Sequence, residues 1–85
     1  MARFFFHFVD GEDLLLDPEG VEIARDDIPT NALRQARSLI ASDACDGEIH
    51  LGYRIVVKDG AGEIVHVLPF EDAVTIEGSP SAVGA

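Results

Sequence analysis

Only one stretch of this 85-residue chain has a helical period, Ile28 to Asp43, and it limits the fold more than any other feature. Ile28, Ala32, Ala36, Leu39 and Ile40 recur three or four residues apart, and Leu33 widens the stripe. Side chains at that spacing share one helix face. The other segments read as strands and turns, so the stripe can only bury itself against a sheet. Asp27 is the expected N-cap, because its carboxylate can accept an orphan backbone N–H. Pro29 suits the first turn, where N–H groups lack intrahelical partners. Asp43 and Asp46 oppose the helix dipole at the far end, which predicts fraying there, with Gly47 closing the turn.

Before the helix, Arg3 to Val9 is an aromatic strand with Phe4, Phe6 and Phe8 on one face and Phe5, His7 and Val9 on the other. Asp10-Gly11-Glu12-Asp13 has turn chemistry. Leu14 to Ala24 is expected to return beside the first strand, interrupted at Asp17-Pro18-Glu19-Gly20, and Pro18 suits an edge or a bulge. After the helix, Tyr53–Asp59 and Glu63–Pro69 alternate around the tight connection Asp59-Gly60-Ala61-Gly62, which predicts an antiparallel hairpin. Residues 70–76 suit a short helical turn or a last extended piece. The expected fold is α+β with the order β-β-α-β-β. One amphipathic helix packs on one face of a mostly antiparallel four-stranded sheet. Residues 1–76 make a single domain and 77–85 a flexible C-terminal tail.

Charge narrows the partners. Sixteen acids against six bases give a formal net charge of −10. Nucleic-acid binding needs Lys and Arg to displace counterions, and the six bases form no run. Direct binding to nucleic acid or to an anionic membrane is therefore disfavoured. Cys45 is the only cysteine, FFFHFV is too short for a secretory leader, and no apolar stretch reaches membrane-spanning length. A reducing cytoplasm is the expected compartment.

These segments, taken in order, resemble the small bacterial proteins grouped as "domain of unknown function 6894". The resemblance rests on Arg3-Phe4-Phe5-Phe6-His7, Asp10-Gly11, Glu19-Gly20-Val21-Glu22, the Ala-rich helix, the Asp59–Gly62 hairpin and Pro69-Phe70-Glu71-Asp72-Ala73. It covers residues 3–76. Pro29-Thr30-Asn31 departs from the family's Ala/Glu-rich helix start. The resemblance implies a cytosolic bacterial protein and no reaction.

No catalytic, cofactor or metal constellation emerges. His7 reads as a sheet-face histidine paired to a neighbouring strand, His66 as a half-buried histidine held by one hydrogen bond, and His50 as a solvated loop residue. Cys45, Asp46, Glu48 and His50 lack zinc-ligand spacing, and Cys45 lacks the positive surroundings of a reactive thiolate. The acids between Asp10 and Glu22 lack calcium-loop order. One feature stands out. A single helix covers one sheet face, which leaves Phe5, His7, Val9, Val56, Val65 and Val67 to line the other, unless residues 70–76 fold back over it. Exposed apolar area of that kind marks an interaction face. The expected function is a non-enzymatic protein-interaction module, its protein partner being another protein or a second copy in a homodimer. The alternatives are an antitoxin-like regulator binding a basic protein and a small-ligand binder or enzyme using His7 or His66.

Overall fold

A computed structural model describes residues 1–75. Ile76 and the tail expected over 77–85 lie outside the described residues. Five strands, β1 (Ala2–Asp10), β2 (Asp13–Leu15), β3 (Val21–Ile23), β4 (Arg54–Lys58) and β5 (Ile64–Pro69), surround one helix, α1 (Ile28–Cys45), in an α+β fold. All strand pairs are antiparallel, in the order β2-β1-β4-β5, and β3 also pairs with β1. β1 is therefore the centre of the sheet. Its C-terminal end pairs with β2 and its N-terminal end with β3, so the return from Leu14 to Ala24 is one strand broken in two.

The break is organised by Asp17. Its Oδ2 accepts the Phe6 backbone N–H at 3.2 Å and its Oδ1 accepts the Gly20 N–H at 3.1 Å. A carboxylate thus stands in for the ladder bonds that β2 and β3 fail to make. Gly20 closes the loop with φ +74°, and a Cβ there would lie 2.9 Å from the Phe4 carbonyl oxygen. Only glycine combines that backbone conformation with that approach.

The helix carries its stripe as the period predicts: Ile28, Ala32, Ala36 and Ile40 are buried. They meet Phe4, Phe6, Ile55, Val57 and Leu68 from the sheet in one core. Both ends of α1 differ from expectation. Asp27 occupies the N-cap position but makes no side-chain cap hydrogen bond, because its ψ of −3° is helical rather than extended. A 3-10 turn over Arg25–Asp27 feeds the helix instead, with the Asp27 N–H donating to the Ala24 carbonyl. At the other end α1 runs two residues beyond Asp43. The Glu48 N–H donates to the Asp43 carbonyl and the Gly47 N–H to that of Ala44, with Gly47 at φ +91°. This pair of bonds is a Schellman closure, and it offsets the unfavourable acids.

The chain leaves β5 through a 3-10 turn, Phe70–Asp72, and turns to the helix side. Phe70 and Ala73 are both buried in the core. The Phe70 N–H donates to the Tyr53 carbonyl, and Arg37 Nε donates to the Ala73 carbonyl at 2.7 Å. Arg37 thereby ties this turn to α1. Residues 70–73 thus pack on the helix side rather than over the second sheet face.

Candidate functional site

Two surfaces stand out, one on each side of the sheet. The first is the open face. Antiparallel register sets His7 opposite Val56 and Val56 opposite Val67, a row crossing β1, β4 and β5. Phe5 is opposite Lys58 and Val9 opposite Arg54. Directly opposed residues share a face, so Phe5, His7, Val9, Val56 and Val67 lie together, half-buried or exposed. Val65, expected with them, does not. Lys58 pairs with Ile64 while Val57 pairs with His66, leaving Val65 as the extra residue of a β-bulge. The bulge breaks the alternation, and Val65 packs against the core. Ile64, 60% exposed, stands beside Lys58 at the margin of the face.

Three of the chain's six bases, Arg3, Arg54 and Lys58, belong to this open face. Arg3 is engaged locally: Nη1 donates to the Glu19 carbonyl at 2.6 Å and Nη2 lies 3.8 Å from Glu22. His7 is engaged too. Its Nδ1 accepts the Asp17 backbone N–H at 3.0 Å and its ring stacks on Phe5 at 6.5 Å. The partner expected on a neighbouring strand is instead a backbone N–H in the loop between β2 and β3. His66 is half-buried opposite Val57 and has no hydrogen bond to a carboxylate among the described residues, nor the single bond expected of it.

The second surface is an open cleft of about 490 Å³ on the helix side, beside the C-terminal half of α1. Its apolar walls are Phe8 from β1, Leu14 and Leu15 from β2, and Leu39 from α1, with Tyr53 and Phe70 completing them. Leu15 is 65% exposed on β2, which is an edge strand. The aromatic rings are in contact. Tyr53 stacks on Phe70 at 5.7 Å, and Phe8 meets Phe70 edge-on at 6.3 Å. His50 meets Tyr53 edge-on at 6.2 Å.

Polar groups gather at one rim of the cleft. Asp43 Oδ2 lies 3.2 Å from His50 Nδ1 and accepts the His50 backbone N–H at 3.3 Å. Glu48 lies 3.8 Å from His50 Nε2, and Asp13 lines the same cleft. The Schellman closure makes this cluster, because it turns the chain sharply enough to bring His50 back to the last turns of α1. Spacing alone placed His50 in solvent. The one signal for it was Asp43, a helix-terminal acid seven residues before a histidine across a glycine turn. Phe70 was legible only as part of a Pro-Phe pair after a strand.

Cys45 is exposed, and among the described residues no group of three or more His, Cys, Asp or Glu side chains gathers to hold a metal ion. Among the same residues, no helix is long and apolar enough to cross a membrane. A family model described as Domain of unknown function (DUF6894) matches residues 3–71. No curated protein and no solved structure matches the chain. The match spans the whole sheet, the helix and the start of the final 3-10 turn, and the chain belongs to the family of the Domain of unknown function (DUF6894).

Proposed function

We propose that this protein is a non-enzymatic protein-interaction module of the cytoplasm whose contact surface is the open sheet face and whose partner is a second copy. The observation that carries this reading is the path of residues 70–73. They turn to the helix side rather than over the row His7–Val56–Val67, in which Val67 is 46% exposed. An isologous stack would set this uncharged central row against its own mate. Arg54 and Lys58 flank the row, and their long stems allow the charges to reach the rim. His7, one of the two histidines open to a catalytic reading, spends Nδ1 on a backbone N–H, which supports a structural role. A basic partner, the antitoxin-like alternative, would meet Arg54 and Lys58 beside this row.

Light scattering across micromolar concentrations tests the proposal. The wild-type chain should give twice the chain mass, and Val56→Asp should give a folded monomer. A wild-type chain that remains a soluble monomer throughout removes the dimer and this use of the face.

A further inference from the structure

The cleft on the helix side has a chemistry that the open sheet face lacks. Its walls are aromatic and aliphatic, its charged lining is acidic, and among the described residues no Lys or Arg lines it. Tyr53 lines the cleft stacked on the buried Phe70, which meets Phe8 edge-on, and an aromatic ring face attracts cations through its quadrupole. Asp43 and Asp13 line the same space, and Glu48 stands behind His50. Even a protonated His50 leaves the rim net negative, since three carboxylates outnumber one imidazolium. The Asp43 side chain is 31% exposed, and its two hydrogen bonds both use Oδ2, which leaves Oδ1 to meet a ligand. The volume falls within the range of small-molecule sites, which are mostly apolar with a few convergent polar groups. An anionic ligand would meet carboxylates, and a purely apolar one would leave the rim unused.

We infer that this cleft binds an organic ammonium ion with an apolar body, the cationic head at Asp43 and Tyr53 and the body between Leu15 and Leu39. The site lies across the sheet from the open face and is independent of dimerisation.

Tyr53 is the only tyrosine and the chain has no tryptophan, so intrinsic fluorescence reports on the cleft alone. Hexyltrimethylammonium serves as the probe, with hexanoate and 1-hexanol as the anionic and neutral equivalents. The ammonium should change Tyr53 fluorescence saturably and shift the amide resonances of Leu15, Leu39 and His50. Asp43→Asn should weaken it by about threefold or more. Leu15→Lys should do the same by placing a cation at the exposed mouth, without depending on the Asp43–His50 contact. Val67→Ser, on the opposite face, should leave binding unchanged. Hexanoate or hexanol binding as tightly as the ammonium would overturn the inference. Unsaturable shifts scattered over the acidic surface and insensitive to Leu15→Lys would overturn it equally.

Discussion

Among the described residues four glycines have positive φ, but only one of them also lacks room. Gly11, Gly47 and Gly62 have nothing within 4 Å of a built Cβ, whereas Gly20 would set its Cβ 2.9 Å from Arg3 Cγ, the Phe4 oxygen and Phe5 Cε2. A side chain can move aside, but a strand carbonyl cannot move without distorting β1. The two cases separate a conformational cost from a steric one. Gly62→Ala should cost about 1 kcal/mol, the penalty of a left-handed alanine, and Gly20→Ala more than about 2 kcal/mol. Urea denaturation of both variants checks this, and equal midpoints would show that the Gly20 loop yields freely. The same contact explains why Glu19-Gly20-Val21-Glu22 is informative as a sequence segment: its glycine is fixed by an approach to another strand.

At the scale of elements, the edge beside β1 is held less by strand pairing than by one side chain. β2 and β3 contribute three residues each, too few to stand alone. Asp17 bridges the gap between them through two backbone N–H groups, and its own N–H donates to His7. Asp17→Ala leaves the Phe6 N–H without its partner, which should cost about 2 kcal/mol. The loss should be local. Hydrogen exchange should speed up at Phe6, Gly20 and the β3 amides while β4 amides keep the protection of global unfolding. Uniform acceleration across the sheet would instead make this segment part of one cooperative unit. The opposite hairpin is tied more simply: Asp59 Oδ1 accepts the N–H groups of Ala61 and Glu63, both at 2.9 Å. That turn was readable from Asp59-Gly60-Ala61-Gly62 because all its bonds are local.

For the whole molecule, charge opposes folding and the core is small. The core cluster contains no buried polar or charged residue, so burial of apolar side chains must offset the repulsion of ten net negative charges. Screening should relieve that repulsion. Raising salt from low to moderate ionic strength should raise the melting temperature by several degrees, at about 4–8 °C per kcal/mol for a domain of this size. Differential scanning calorimetry at fixed chain concentration measures it. A melting temperature unmoved by salt would mean that local pairs such as Arg3–Glu22 already balance the field.

What the sequence by itself determined is everything that rests on local periodicity and local turns. The 3.6-residue stripe fixed α1, the two-residue alternation fixed which aromatic residues of β1 face the helix, and the Asp-Gly connection fixed the β4–β5 hairpin. The tertiary structure alone decided three things. It paired β1 with β4, 45 or more residues apart, which no local pattern encodes. It moved Val65 off the open face through a bulge, where one extra residue breaks the alternation on which face assignments rest. It also turned Phe70 inward and brought His50 to Asp43, making one face open and the other a cleft. Those outcomes depend on which long-range contacts fill the remaining core volume and on how a helix end closes. Such contacts join residues distant in sequence, and a helical or strand period carries no information about them.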